Sequence, residues 1–213
     1  MTIESTVMNT QQQPEIVNDP NSNAGAQLIQ AYTHRMVQAR QALDDLDQQM
    51  NDALKVMGHI RDTITASGQL LTCGNGGSAA QAMHFSEELI GRFRGNRAPL
   101  PAVCLNADPT AMSCIANDFG FEEVFARQVD GLARKNDALV VFTTSGKSPN
   151  IIAALKRAKE HGCSTIGMLG GDGGPARALC EYSVVIPGTD SAAIQEAHQT
   201  LIHACCEVLE TEA

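Results

Sequence analysis

The chain has no tryptophan and, among 213 residues, only two tyrosines and six phenylalanines. That leaves few flat faces on which bases could stack, which weighs against single-stranded nucleic acid as a ligand. Lys and Arg nowhere cluster, and the net charge is −9. Such a surface excludes nucleic acid and an anionic membrane as main partners. No apolar run approaches the roughly 18 residues that span a bilayer. Residues 1–23 lack the basic-then-apolar order of a signal peptide. There is also no CxxC pair. Seven cysteines, odd in number and scattered, suit buried thiols in a reducing compartment better than a disulfide framework. The expectation is a cytoplasmic globular protein with neither nucleic acid nor membrane as partner.

What is present is an alternation of short apolar runs and helical patterns. Residues 1–23, rich in Gln, Asn, Thr and Pro, are expected to form a disordered arm. From residue 24 to 66 apolar residues recur at helical spacing, at Leu28, Tyr32, Met36, Ala39 and Leu43, then at Leu46, Met50, Leu54, Met57 and Ile64. This predicts two helices with a break near Asp44–Asp47. Five β-like runs follow, over 69–73, 101–105, 137–142, 164–169 and 182–187, with helical patterns over 79–92, 107–116, 122–132, 150–161 and 175–179. A last helix runs over 191–210. The order predicts an α/β fold, a doubly wound, five-stranded, mostly parallel sheet with helices on both faces.

Three stretches carry chemistry. The run Leu70–Cys73 ends in Gly74-Asn75-Gly76-Gly77-Ser78, and a helical pattern begins there. Glycines let backbone N–H groups approach a ligand, and a helix N-terminus favours an anion. A dinucleotide fingerprint would also want an acidic residue about 20 positions on, and Asp108 comes too late. Further along the same helix His84 and Glu88 stand at i and i+4, on one face. The second stretch is Thr143-Thr144-Ser145-Gly146-Lys147-Ser148, between a strand and a helix that opens on Pro149. Ser148 suits the N-cap. Hydroxyls and N–H groups gathered at a helix N-terminus make a phosphate cradle that needs no metal. It is not a P-loop, since Val141 occupies the upstream glycine position. The third stretch is Gln195, Glu196, His198 and His203 on the last helix. Gln195 and His203 project within about 80° of each other, while His198 points about 140° from His203. Geometry alone would also allow Glu196 in place of Gln195. With His84 and Glu88, His203 completes a nitrogen and oxygen set suited to a zinc-like ion. Asn117-Asp118 is a polar pair that could hold sugar hydroxyls or form an ordinary turn. Gly170–Gly174 is expected to be a tight strand-to-helix turn, not an anion site.

These motifs resemble the sugar-isomerase (SIS) family, and within it the phosphoheptose isomerases, over about residues 26 to 210. The resemblance rests on Cys-Gly-Asn-Gly-Gly-Ser at 73–78, Ala-Met-His-Phe-Ser-Glu-Glu-Leu at 82–89 and Ala-Asn-Asp-Phe-Gly-Phe at 116–121. Thr-Ser-Gly-Lys-Ser at 144–148 and Ile-Gln-Glu-Ala-His-Gln-Thr-Leu-Ile-His at 194–203 complete it. It implies one SIS domain over 24–213, with N-terminal helices over 24–66, an α/β core over 67–190 and a closing helix over 191–211. It implies zinc, one divalent ion per subunit, held by His84, Glu88, Gln195 and His203. It also implies Glu88 as catalytic base, His203 as partner acid, and conversion of sedoheptulose 7-phosphate to a heptose 7-phosphate aldose. The partners would be a phosphorylated seven-carbon sugar and, in a homotetramer, other copies of the chain. Substrate contacts carry over to Asn75, Gly76, Gly77, Ser78, Glu88, Asn117, Asp118, Thr143, Thr144, Ser145, Ser148 and Gln195. Two departures bear on substrate choice: Gln81 stands where the family often has Asp, and Ala192-Ala193 where relatives carry polar or basic residues. The alternatives are an isomerase of another ketose phosphate, or a non-catalytic protein of the same fold that binds a replication initiator. The presence of His84, Glu88 and His203 favours the enzyme.

Overall fold

The computed structural model describes residue 20 and residues 22–210. The arm expected over residues 1–23 therefore falls, at 1–19 and at 21, outside the described residues. By its internal contacts the chain separates into two units, Met1–Val37 and Gln38–Ala213. In the first, residues 23–37 are helical, the opening part of α1 (Asn23–Gln48), with Leu28, Ile29 and Tyr32 exposed.

The second unit holds the rest of α1, then α2 (Met50–Thr65) and five strands. The strands are β1 (Leu70–Gly74), β2 (Ala102–Cys104), β3 (Ala138–Thr143), β4 (Ser164–Gly170) and β5 (Tyr182–Ile186). All pairings are parallel and the order is β2-β1-β3-β4-β5. β1 and β3 are buried at every position, as strands covered on both faces must be. Alternate strand residues feed two cores. Leu70, Val140, Phe142, Ile166 and Met168 meet α2, α3 (Gly77–Ile90) and α8 (Ser191–Glu210). Leu71, Leu139, Val141 and Leu169 meet α5 (Ala126–Leu132) and α6 (Pro149–Glu160). The remaining helices are α4 (Pro109–Phe119) and the short α7 (Gly174–Arg177).

The expected doubly wound sheet is what forms, with local corrections. The first helix breaks at Gln49, after the acidic run, because Asp45 pairs with Gln41 one turn earlier and stays helical. The helix expected over 122–132 is instead a 3-10 turn, Phe121–Glu123, followed by α5. Val124 and Phe125, between the two, are both fully buried. On α2 the buried stripe is Ala53, Val56, Ile60 and Thr63, whereas Met50 and Leu54 of the stripe read from the sequence are exposed.

Candidate active site

The chain leaves β1 to build β2 on one side and β3 on the other, so the carboxyl ends of β1 and β3 flank the switch point. In open α/β sheets that crevice is where ligands bind. Both donor-rich loops open there. The first turns at Gly76, whose φ of 55° and ψ of −123° few other residues adopt, and passes directly into α3. Its Asn75 exchanges two 2.9 Å hydrogen bonds with Asn150 at the start of α6. Asn106, just beyond β2, donates to the Gly74 carbonyl and accepts from its N–H. Three strand ends are thus tied together by asparagine amides. Ser78 is buried at the second position of α3.

The second loop is more self-contained than its composition suggests. Thr143 Oγ1 accepts from Gly146 N–H at 3.1 Å, and Ser145 Oγ from Lys147 N–H at 3.3 Å. Thr144 Oγ1 lies 3.1 Å from Ser191 Oγ at the start of α8. A hydroxyl that accepts through a lone pair keeps its proton to donate. Ser148 is the N-cap residue and Pro149 follows it, yet the Ser148 side chain makes no capping bond. The Gly170–Gly174 turn packs against this loop. A Cβ on Gly146 would collide with the Gly173 carbonyl, so that position admits only glycine. Asp172 in that turn is held below the usual carboxylate range by the Gly174 N–H and, secondarily, by Lys147.

The third group converges across α3 and α8. His84 Nε2 lies 3.3 Å from His203 Nε2 and 3.5 Å from Glu88 Oε1. Taken together, one atom from each of the three residues lies within 4.8 Å of the others. Ligands bound about 2.0–2.2 Å from a tetrahedral ion stand roughly 3.3–3.6 Å apart, which the two separations from His84 match. The set is half-buried, and the Glu88 side chain, at 14% exposure, is more enclosed than that of His84.

Gln195 is on the same side of α8, its amide so close to Gly77 that a Cβ there would meet it at 2.6 Å. Its backbone carbonyl accepts from Gln81 Nε2 at 2.5 Å, a link between α3 and α8. The amide found beside the imidazole pair is that of Gln199, with Nε2 3.0 Å from His203 Nε2. Sequence reasoning missed Gln199, although its i−4 spacing from His203 was a usable signal. Asn150, Asn106 and Phe93, whose ring stacks on His203, were also missed. Nothing local marks these residues. Asn117 and Asp118 sit exposed at the end of α4, where Asn117 Nδ2 donates to Asp118 Oδ1 at 2.8 Å. They are not drawn into the His84 group. His198 behaves as its angle predicted: it is buried, and its Nε2 bonds the Leu169 carbonyl at 3.1 Å.

The SIS domain family matches residues 31–170. A phosphoheptose isomerase of Nitratiruptor sp. is 48% identical over 142 residues, which are 67% of this chain and 76% of the relative. The phosphoheptose isomerase of Geobacter sulfurreducens is 40% identical over 184 residues, 86% of this chain and 97% of the relative. Among solved structures, a phosphoheptose isomerase from Neisseria gonorrhoeae superposes with a TM-score of 0.81 at 34% identity. That match covers 86% of this chain and 99% of the other.

Proposed function

Because the chain belongs to the SIS domain family, and within it to the phosphoheptose isomerases, we propose that it converts sedoheptulose 7-phosphate to D-glycero-D-manno-heptose 7-phosphate. The observation that carries the assignment to these residues is the convergence of His84, Glu88 and His203 on two helices, α3 and α8, whose starts meet the two donor-rich loops.

The reaction moves hydrogen between C1 and C2 through a cis-enediol. Glu88 takes the proton from C1 of the ketose and delivers it to C2. His203 donates to the carbonyl oxygen on C2 and accepts the proton leaving the C1 hydroxyl. General acid and base steps of this kind each contribute about 10²–10⁴-fold. His84, Glu88 and His203, with Gln195 as fourth ligand, would hold one zinc ion per subunit, which supplies carbonyl polarisation when bound. Glu88 would hold the ion and, having two carboxylate oxygens, could still move the proton. Thr143, Thr144, Ser145 and Ser148 direct hydroxyls at the phosphate, with the α6 N-terminus adding its partial positive charge. Asn75, Gly76, Gly77 and Ser78, together with Asn117 and Asp118, are proposed to hold the sugar.

Residues 24–213 act as one SIS domain, supported by a family match that runs unbroken across residues 37 and 38. The active form is a homotetramer, supported by apolar side chains left exposed on α2 and α3: Met50, Leu54, Met83 and Ile90. The compartment is the cytoplasm, supported by seven unpaired cysteines; no helix among the described residues is long and apolar enough to cross a membrane.

The test is deuterium incorporation at C2 of the aldose in deuterated water, with several ketose phosphates offered to purified protein. Incorporation with the seven-carbon substrate is expected. No incorporation with any of them would remove the isomerase reading and leave a binding role.

A further inference from the structure

Between α3 and β2 lie eleven residues, Gly91-Arg92-Phe93-Arg94-Gly95-Asn96-Arg97-Ala98-Pro99-Leu100-Pro101. Glycine, arginine, asparagine and proline in this density read as an exposed connection, and the segment contains no helix or strand. It is nevertheless fastened at two points to the helices that carry the site. Arg97 Nη2 donates to the Glu88 carbonyl at 2.7 Å, and its Nη1 to the Leu89 carbonyl at 2.9 Å. The first of these bonds satisfies a last-turn carbonyl of α3, while the Leu89 carbonyl also accepts from Leu100 N–H at 2.9 Å. At the other point, Glu210 Oε1 on α8 accepts from Arg94 N–H at 2.8 Å and Gly95 N–H at 3.0 Å. Arg94 Nη1 also meets Glu207 Oε1 at 2.6 Å.

Immediately before the Arg94 anchor, Phe93 lies against His203, ring centroids 5.5 Å apart and planes 27° from parallel. The Arg94 guanidinium lies 4.9 Å from the Phe93 ring centre. The ring torsion of a histidine is broad and only roughly two-fold, so a half-exposed imidazole has little to hold its plane. A flat hydrocarbon wall supplies that restraint. Groups that orient metal-binding imidazoles typically matter by 10–100-fold in affinity.

We propose that the 91–101 segment is a strap that positions the site, and that Phe93 is the residue fixing the imidazole plane of His203. Through Arg97 the same strap steadies the last turn of α3, so one connection braces both Glu88 and His203. The proposal rests on the assignment of His203 to the metal-binding and catalytic set. Phe93 touches neither sugar nor ion in this account and acts only through His203.

The experiment combines cobalt(II) titration, followed by its visible absorption, with steady-state kinetics on Phe93→Ala, Phe93→Leu and Phe93→Tyr. For Phe93→Ala, cobalt affinity and kcat should each fall about 10- to 100-fold, with KM for the sugar phosphate changing less than about threefold. Phe93→Tyr keeps the ring and should restore both, whereas Phe93→Leu keeps bulk without a flat face and should not. Should Phe93→Ala fail to fold, Glu210→Ala frees the strap from α8 at the surface and should shift cobalt affinity in the same direction. Native affinity and kcat in Phe93→Ala would overturn the proposal, as would rescue by Leu equal to that by Tyr. A native protein that binds cobalt but turns over no ketose phosphate would remove the isomerase reading, and the titration would still decide the role of Phe93.

Discussion

Two histidines five residues apart on α8 have opposite fates, and the difference lies in what each meets. His203 is half-buried among Gln199, His84 and Phe93. His198 faces the sheet, with its Nε2 on the Leu169 carbonyl and its ring edge-on to Phe142. Burial drives the His198 pKa down to about 4, only slightly opposed by that hydrogen bond. His84→Ala and His203→Ala should therefore each strip bound metal and abolish turnover, while His198→Leu leaves metal content unchanged; metal analysis of the purified variants checks this. A second expectation concerns pH. The unfolded chain protonates this histidine near pH 6.5, but the folded chain does so only near pH 4. Protons are therefore bound more by the unfolded state across that window, and stability falls as pH drops through it. The loss is on the order of 3 kcal/mol. Denaturant midpoints measured from pH 7 to pH 4 should fall less steeply for His198→Leu, and an unchanged slope would contradict the assignment.

At the scale of elements, each donor-rich loop owes its place to the strand before it and the helix after it. β1 and β3 are adjacent and in register from Leu70–Ala138 to Gly74–Phe142, so their loops emerge side by side. Removing one donor to a charged phosphate is worth roughly 1.5–3 kcal/mol. Ser148→Ala should therefore raise KM for the sugar phosphate about tenfold or more, with kcat and bound metal little changed. The neutral sugar should bind Ser148→Ala and native protein alike; if native protein bound the sugar equally well with and without its phosphate, the cradle would be refuted. Much of this level was legible in the sequence, because strand, glycine and N-cap signals are local. The strands Leu70–Gly74 and Ala138–Thr143 lie one residue from their expected positions, and α8 starts and ends where expected. What was hidden depends on long-range contact. The Asn75–Asn150 pair joins positions far apart in the chain. The contact of Phe93 with His203 depends on the path of the strap between α3 and β2. The buried face of α2 was hidden for another reason, since both of its faces carry apolar residues.

That second apolar face matters for the molecule as a whole. Ala53, Val56 and Ile60 already pack α2 onto the sheet, so Met50 and Leu54 are surplus to one chain. Met50 lines an apolar groove between α2 and α8, together with Met57, Leu201 and Ala204. Exposed apolar side chains beside such a groove are costly in water, and burial against a symmetric copy removes the cost. Each fully buried Leu or Met contributes roughly 1.5–3 kcal/mol. A few such side chains repeated over several contacts suffice to hold an oligomer together at micromolar concentration. Light scattering is therefore expected to give about 90 kDa, four chains of 22.6 kDa. Replacing Met50 and Leu54 together by Glu places charge where partners would meet, and should lower the mass towards that of smaller assemblies. Because α8 lines the groove on one side and carries Gln195, Gln199 and His203, the same variant should also lose turnover. A species of about 23 kDa with native kcat would show that each chain completes its own site, and the tetramer would then have no part in catalysis.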